Sequence, residues 1–195
     1  TFEGFGGLAT LWFDGKPAGR SVLTAMPFEV LLKSVAPGSH HVVIEINNSK
    51  PLETVFPAYG CDWFHYGGIV RSAEMALLGD LCIRELRAHY TLEGRNIRLA
   101  PEVVIENLSR RKLRDELILE LNGVDVARIP VLLPPSATAV IRHELPPRAL
   151  ALWSPDSPAL HILRAQCTGD DLADRTGFRS LAARNGRIIL NGEPL

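Results

Sequence analysis

Short apolar segments recur at regular spacing in the second half of the chain, and this repeat constrains the possible folds more than any other feature. Prolines and β-branched residues interrupt every candidate helix, so no long helical pattern competes. Seven short strands separated by turn signals are typical of an immunoglobulin-like β-sandwich. The predicted strands cover residues 82–92, 97–107, 113–121, 126–133, 138–145, 160–166 and 177–181.

The first part of the chain also has the pattern of β-strands. Residues 8–14 are predicted to form a strand that enters a hairpin turn at Asp14-Gly15. Residues 42–47 alternate in two sets, which predicts a strand with one buried and one solvated face. Residues 49–61 contain many turn formers and predict a long loop. The expected fold class is therefore all-β, with two β-sandwiches in succession.

Composition and charge exclude several classes of protein. The chain has 195 residues, of which 46% are hydrophobic, enough for one core or two small cores without a disulfide or a metal. A formal net charge of -1 gives no general attraction for nucleic acid or for an anionic membrane. No run of about 18 apolar residues is present, so no membrane span is expected. The six histidines lack metal-ligand spacing, and neither a metal site nor a cofactor is predicted.

The cysteines and the first residues bear on the cellular compartment. Cys61, Cys82 and Cys167 are an odd number without a C-x-x-C spacing, and they are expected to be reduced thiols packed as small hydrophobic groups. The chain begins at Thr1 without an initiator methionine or a basic and apolar leader, which suggests a fragment of a longer protein. The compartment stays open, with the cytoplasm favoured.

Residues 62–71, with the sequence DWFHYGGIVR, hold the strongest indication of function. Asp62 follows the predicted loop, aromatic rings come directly after it, and Gly67-Gly68 allow the backbone to turn. An acid beside exposed rings suits a sugar, because rings cover apolar sugar faces while a carboxylate accepts hydrogen bonds from hydroxyl groups. The alternative is that this loop only closes the end of a sandwich, as many aromatic-rich loops do.

Three motifs, in the same order along the chain, resemble glycoside hydrolase family 2, which contains the β-glucuronidases and β-galactosidases. Residues 62–71 resemble the family pattern D-x-[FW]-x-Y-x-G-I-x-R, in a form closer to that of the glucuronidases. Residues 152–163 resemble L-W-S-P-x-x-P-x-L-Y-x-L, with His161 where the family usually has tyrosine. Residues 188–195 resemble the hairpin pattern F-x-L-N-G-x-P-[VL] that leads into the catalytic (β/α)8 barrel of the family.

The resemblance implies a division of the chain into three parts. Residues 1–79 are expected to be the later part of a sugar-binding jelly-roll domain. Residues 80–183 are expected to be an immunoglobulin-like sandwich, and residues 184–195 a hairpin toward the barrel. Both catalytic glutamates are expected in that barrel, beyond Leu195, so no catalytic residue is assigned within the chain.

The resemblance also implies roles for individual residues. Asp62 is expected to reach the substrate pocket, with His65 and Tyr66 as further substrate-binding residues. The family usually has asparagine at the position of His65, and the alternative is that His65 and Tyr66 pack between the sandwich and the barrel. Arg71 is expected to form a structural ion pair, and Trp153 is expected to pack on the sandwich.

The resulting hypothesis is a set of accessory domains of a retaining glycosidase that cleaves β-galactosides or β-glucuronides. These domains would shape the substrate pocket, orient the barrel and be inactive alone. The expected partners are a carbohydrate substrate, the barrel of the same protein and, through oligomer contacts, further copies, but neither nucleic acid nor a membrane. The alternatives are a free-standing carbohydrate-binding or adhesion module and a scaffold without sugar contact.

Overall fold

The computed structural model describes residues 1–23, 25–49, 66–94 and 96–195, and every regular element within these ranges is a β-strand. The all-β prediction is therefore confirmed. The chain divides into two compact units, Thr1–Leu77 and Leu78–Leu195, which are named the first unit and the second unit. The described ranges contain no helix with the length and apolar character needed to cross a membrane.

The described part of the first unit has five strands in two antiparallel sheets. They are β1 (Phe5–Gly6), β2 (Leu8–Phe13), β3 (Lys16–Ser21), β4 (Val42–Asn47) and β5 (Gly68–Ile69). The larger sheet has the order β3-β2-β4, and β1 pairs with β5 in the smaller one. The core forms around Phe5, which is completely buried and packs against Phe2 and Phe28 at ring-centroid distances of 5.1 and 5.8 Å.

Two sequence predictions for the first unit have different outcomes. The hairpin at Asp14-Gly15 is confirmed, because it joins β2 to β3 with φ values of 47° and 74°, the geometry of a two-residue hairpin turn. The strand at residues 42–47 is confirmed as β4, but its division into a buried and a solvated face is wrong at its start. Val42 and Val43 are 49% and 56% exposed. Within the described residues β4 is an edge strand, so its neighbours cover it from one side only.

The second unit begins with seven strands that form two antiparallel sheets. One sheet has three strands and the other has four. The fourth strand of the unit pairs with the third strand, in the four-stranded sheet, and is not part of the three-stranded sheet. This arrangement is a variant of the immunoglobulin-like sandwich. The strands are β6 (Leu81–Glu93), β7 (Asn96–Asn107), β8 (Leu113–Leu121), β9 (Val124–Leu133), β10 (Thr138–Arg142), β11 (His161–Cys167) and β12 (Asp170–Thr176), in the orders β10-β7-β6 and β12-β11-β8-β9.

A third, small sheet follows the sandwich. Its strands are β13 (Leu181–Arg184), β14 (Arg187–Leu190) and β15 (Glu193–Pro194), in the order β13-β14-β15. The side chains of β13 are all exposed, whereas Leu190 at the end of β14 is buried. The sheet is therefore anchored near Leu190 and open to solvent along β13.

The prediction of a strand at residues 177–181 is wrong, because the seventh strand of the sandwich is β12. It pairs with β11 from Cys167 and Asp170 to His161 and Thr176. The sequence of β12, DDLADRT, is mostly charged because this strand lies at the edge of its sheet, where charges discourage pairing with another chain. The apolar residue that suggested a strand at residues 177–181 is Phe178, which is completely buried just after β12 ends.

Two groups of buried apolar side chains fill the second unit. The first group lies between the two sheets and includes Val103, Leu117 and Val131. The second includes Leu163 on β11 and Phe178, which follows β12. Removal of these side chains from water is the main stabilising contribution, as in other sandwiches.

The buried carboxylate of Glu102 lies in the three-stranded sheet between two arginines. Glu102 on β7 is 6% exposed and pairs in register with Arg87 on β6 and Arg142 on β10. Arg87 Nη1 donates to Oε1 at 3.0 Å, and Arg142 Nε donates to Oε2 at 3.1 Å. The hydrogen bonds from Arg142, with a smaller contribution from Arg87, lower the pKa of the Glu102 carboxyl from its ordinary value of 4.5.

We expect Glu102→Gln to weaken the dependence of stability on acid pH. Because the pKa of Glu102 is lowered by folding, its stabilisation is complete above the unfolded-state pKa and is lost as pH falls through the folded-state pKa. The free energy of unfolding should therefore decline below pH 4.5 more steeply in the wild type than in Glu102→Gln. Urea titrations at several pH values measure this difference.

The control is Glu85→Gln, because Glu85 also pairs with Arg87 but is 47% exposed. This variant should keep the steep acid dependence of the wild type. Equal slopes for the wild type and Glu102→Gln would contradict the assignment.

Candidate functional site

The sequence-predicted site falls only partly within the described residues. Asp62 and His65 lie outside them, whereas Tyr66 and Arg71, at the end of the same motif, lie within them. Trp153 belongs to the second unit. The substrate contacts of Asp62, His65 and Tyr66 remain predictions.

The segment 66–74 is held by backbone hydrogen bonds to the first residues of the chain. Val70 N donates to Gly4 O at 3.1 Å, and Glu3 N donates to Ser72 O at 2.9 Å. Next to the bond from Val70 to Gly4, β5 pairs with β1, which carries the buried Phe5. The end of the predicted site motif is thereby fixed against the core of the first unit.

Two glycines make this close approach possible. Gly6 on β1 pairs with Gly68 on β5. A Cβ at Gly6 would lie 1.9 Å from the carbonyl oxygen of Tyr66, and Gly68 has a φ of 117°. Only glycine fits both positions, one for space and the other for backbone conformation.

Tyr66 and Arg71 both have exposed side chains. Tyr66 is 73% exposed, so its ring is not packed into the core of the first unit. The aliphatic part of Arg71 passes Gly4, where a Cβ would lie 3.4 Å from Arg71 Cδ. Within the described ranges no carboxylate forms an ion pair with Arg71, and its structural ion pair therefore remains a prediction.

Trp153 precedes a tight turn that is stabilised by backbone hydrogen bonds between Ser154 and Ser157. Ser154 N donates to Ser157 O at 3.0 Å, and Ser157 N donates back to Ser154 O at 3.2 Å. Ser154 Oγ accepts a further hydrogen bond from Ser157 N at 3.1 Å. The half-buried indole lies against Gly177, where a Cβ would come within 3.1 Å of it. The family-like motif at residues 152–163 thus forms a turn followed by β11.

Trp153 also contacts the segment that joins the sandwich to the sheet β13-β14-β15. Trp153 N donates to Phe178 O at 2.8 Å, and the guanidinium carbon of Arg179 lies 5.2 Å from the centroid of the indole. Asn191 Nδ2 donates to Trp153 O at 3.0 Å, and Asn191 Oδ1 accepts from Ser180 N at 2.9 Å. We call this group of residues, together with Tyr90 on β6, the Trp153 junction. Its members are Tyr90, Trp153, Phe178, Arg179, Ser180 and Asn191.

Tyr90 attaches the junction to β6. Its hydroxyl donates to Arg179 O at 2.9 Å and accepts from Arg179 N at 3.2 Å. Its ring meets the buried ring of Phe178 edge-on at a centroid distance of 4.9 Å. Sequence reasoning missed the roles of Tyr90 and Asn191. The hairpin motif contains Asn191, but a bond to a residue 38 positions earlier leaves no trace in a local pattern.

His161, at the position where the pattern that the motif resembles has tyrosine, is a buried structural residue. Its Nε2 donates to Ala151 O at 2.9 Å, because a carbonyl oxygen only accepts, and its Nδ1 accepts from Asn122 Nδ2 at 3.0 Å. The orientation of Asn122 is fixed by Ile162 N, which donates to Asn122 Oδ1 at 3.0 Å. Both ring nitrogens of His161 are occupied, which leaves neither for a ligand.

His40 in the first unit is held between two acceptors. Its Nδ1 lies 2.7 Å from Asp14 Oδ2, and its Nε2 lies 2.7 Å from Ala36 O. The hydrogen bond to Asp14 raises the pKa of His40, whereas the pKa of Asp14 is lowered chiefly by the backbone N–H of His41 and then by His40. The pair fastens the loop before β4 to the β2–β3 hairpin.

The described residues offer neither a metal site nor a reactive thiol. No group of three or more histidine, cysteine, aspartate or glutamate side chains in the described ranges could hold a metal ion. Cys82 and Cys167 are free thiols, as predicted, whereas Cys61 lies outside the described residues. Burial raises the pKa of Cys82 and raises that of Cys167 to about 12, so neither is a thiolate near neutral pH.

Solved structures match the chain over its whole length, although no protein-family model and no curated protein sequence matches it. A family-2 β-galacturonidase from Eisenbergiella tayi, with glycerol bound, is 29% identical with a TM-score of 0.86, and the match covers 100% of this chain and 35% of that enzyme. Bacteroides uniformis β-glucuronidase 2 is 17% identical with a TM-score of 0.80, covering 100% of this chain and 26% of that enzyme. A putative β-galactosidase from Bacteroides fragilis is 18% identical with a TM-score of 0.77, covering 100% and 32%.

This chain therefore spans about a third or less of the length of the enzymes that it matches. The matched enzymes share the strand architecture of this chain over its whole length, and three of its motifs resemble patterns of family 2. The resemblance to glycoside hydrolase family 2 is therefore confirmed, and the chain has the fold of the β-domains of these enzymes.

Proposed function

We propose that this chain forms the accessory β-domains of a retaining family-2 glycoside hydrolase. The observation that carries the proposal is the match over the whole chain, at 29% identity, to a β-galacturonidase of which the match covers 35%. In this proposal residues 1–79 form the sugar-binding domain, residues 80–183 the immunoglobulin-like domain, and residues 184–195 lead toward the catalytic barrel. The reaction itself belongs to that barrel.

The proposed substrate is a β-linked uronide, with a galacturonide ahead of a glucuronide. The identity to the β-galacturonidase is 28% to 29%, whereas the identity to the β-glucuronidase is 17%. A uronide differs from a galactoside in its carboxylate, so an enzyme for uronides needs a cation or other donors that the neutral sugar does not use.

Four glutamates on the described strands have positions that are consistent with an accessory role. A retaining glycosidase needs two carboxyl groups about 5 Å apart, one of them an acid with a raised pKa. Glu102 is instead held as a carboxylate by its two arginines, and Glu106 pairs with Arg84 at 3.3 Å. Glu45 and Glu120 lie on strands with at least partly exposed side chains. Each of these glutamates has a structural or surface position.

The substrate proposal is tested with aryl β-galacturonide, β-glucuronide and β-galactoside as substrates of the full-length protein. We expect kcat/KM to be highest for the galacturonide, by about tenfold or more over the galactoside, because the galactoside leaves the carboxylate-binding groups without a partner. Proton NMR of the first product should show the β-anomer, and the isolated 195-residue chain should show no turnover.

Turnover by the chain alone would contradict the proposal, as would a full-length protein that cleaves none of the three substrates. Galacturonate binding by the chain alone, combined with an inactive full-length protein, would favour a carbohydrate-binding module.

We propose further that Asp62, with His65 and Tyr66, contributes to the substrate pocket of the full-length enzyme. The support is the motif itself and the way in which its end is fastened to the first residues of the chain. Backbone bonds such as Val70 N to Gly4 O hold the residues that follow the motif's rings in a fixed place.

We expect Asp62→Ala to lower kcat/KM of the full-length enzyme by more than about tenfold, a loss above about 1.4 kcal/mol, because a hydrogen-bond acceptor for the substrate is removed. The matched control is Asp156→Ala, in the exposed turn after Trp153, which should leave the kinetics unchanged. Steady-state kinetics of both variants measure kcat/KM and test this prediction. Identical kinetics for Asp62→Ala and the wild type would remove Asp62 from the site.

The proposed second role is to orient the barrel through the Trp153 junction. The junction joins the sandwich to the sheet β13-β14-β15 by side-chain hydrogen bonds from Tyr90 and Asn191 and by the contact of Arg179 with Trp153. A rigid exit from the sandwich gives the following domain a defined direction, whereas a flexible linker would not.

Two asparagines in equivalent turns provide a matched test of this role. Asn191 and Asn185 both begin Asn-Gly turns, with φ values of 53° and 50°, and only Asn191 bonds to the junction. We expect Asn191→Gly to cost about 1–3 kcal/mol of stability, because Ser180 N and Trp153 O lose their partners. Asn185→Gly should change stability by less than about 0.5 kcal/mol, because glycine tolerates the same backbone conformation.

The two variants are compared by urea unfolding and by kcat/KM of the full-length enzyme. Asn191→Gly should also lower kcat/KM by about fivefold or more, equivalent to about 1 kcal/mol. If both variants behave alike in stability and in activity, the junction does not orient the catalytic domain.

A further inference from the structure

The second unit contains three Asn-Gly turns with nearly the same backbone geometry. The asparagines Asn122, Asn185 and Asn191 have φ values of 52°, 50° and 53°, and the glycines that follow them have φ values of 81°, 71° and 91°. All three are hairpin turns of the type that Asn-Gly favours. They form a matched set in which only the surroundings of the asparagine side chain differ.

Two of these asparagine side chains are held by hydrogen bonds at both ends of the amide. Asn122 Oδ1 accepts from Ile162 N at 3.0 Å, and its Nδ2 lies 3.0 Å from His161 Nδ1. Asn191 Oδ1 accepts from Ser180 N at 2.9 Å, and its Nδ2 donates to Trp153 O at 3.0 Å. Movement of either amide requires both bonds to break together.

The third asparagine, Asn185, is exposed and makes no side-chain hydrogen bond with the described residues. Its turn connects β13 to β14, and every side chain of β13 is exposed. The turn of Asn122 connects instead β8 to β9, whose side chains include the buried Leu117 and Val131. A hairpin with few buried contacts opens at lower free energy than one packed into a core, so the Asn185 turn opens most readily.

We propose that Asn185 is a site of selective, spontaneous deamidation. The backbone nitrogen of Gly186 attacks Cγ of Asn185, and the new N–C bond closes a five-membered succinimide. The Cγ–Nδ2 bond breaks, and the side-chain nitrogen takes up the proton lost from Gly186 N and leaves as ammonia. Water then adds to one of the two ring carbonyls and opens the ring to aspartate or isoaspartate. No oxidant or reductant is required, and water is the sole co-reactant. Gly186 lacks a Cβ that would hinder the approach of its nitrogen.

The product of deamidation has a carboxylate in a turn that two arginines flank. Arg184 and Arg187 pair across this turn, and both are exposed. Deamidation therefore adds one negative charge at the tip of the hairpin, and isoaspartate also lengthens the backbone within the turn. The modification changes the charge and shape of the turn between β13 and β14.

The experiment is incubation of the intact protein in mildly alkaline buffer, followed by peptide mass spectrometry over time. We expect the peptide that contains Asn185 to gain one mass unit at least about tenfold faster than the peptides with Asn122 or Asn191, equivalent to about 1.4 kcal/mol in activation free energy. An isoaspartate-specific methylation assay should label the same peptide, and Asn185→Ser should abolish that labelling.

A parallel incubation in concentrated urea separates the effect of the fold from that of the sequence. Unfolding releases Asn122 and Asn191 from their hydrogen bonds, so the three rates should converge to within about threefold, since their local sequences share the Asn-Gly pair. The proposal is overturned if Asn122 or Asn191 deamidates as fast as Asn185 in the folded protein. It is also overturned if the folded-state ratio persists unchanged in urea.

Discussion

The contact between Tyr90 and the backbone of Arg179 is the interaction on which the end of the second unit depends. One hydroxyl group uses both its donor and its acceptor capacity on a single residue, and the same side chain covers the buried ring of Phe178. Phe178 in turn packs against His161, the first residue of β11. The segment after β12 is therefore fixed to both sheets of the sandwich, although it forms no strand. The sheet β13-β14-β15 is fixed through it.

The strand content of the second unit was predictable because half-buried antiparallel strands impose a period of two on the sequence. Six of the seven predicted strands correspond to observed ones. The strand β12 was not predicted, because an edge strand needs few apolar residues and its charges discourage pairing with another chain, as in DDLADRT. Glu102 and Asn107 are the opposite case, because they are polar residues that lie buried in apolar strands. A buried glutamate or asparagine in an apolar strand is explained only by partners on other strands and loops, such as Arg142 and Leu133 O, which a local pattern does not pair with it.

The candidate site was predictable only as far as local motifs extend. The motif at residues 62–71 identified Asp62 by resemblance, and the structure accounts for one of its two glycines, Gly68, through a φ of 117°. The support from residues 1–6 was not predictable, because backbone bonds to residues about 70 positions away, such as Thr1 N to Glu74 O, depend on the tertiary fold. The same limit applies to the Trp153 junction. The Trp-Ser-Pro turn and the Asn-Gly hairpin were visible singly, but not as parts of one unit.

We expect the sandwich and its final sheet to behave as one rigid body that is joined at the Trp153 junction. Hydrogen exchange of individual amides in the wild type and in Tyr90→Phe tests it most directly, because Arg179 N donates to the hydroxyl that this variant removes, and Asn191 N donates to Ser180 O next to it. We expect slow exchange of both amides in the wild type and faster exchange of both in Tyr90→Phe, with the amides of β7 unchanged. Rapid exchange of Asn191 already in the wild type, or acceleration confined to Arg179, would contradict it.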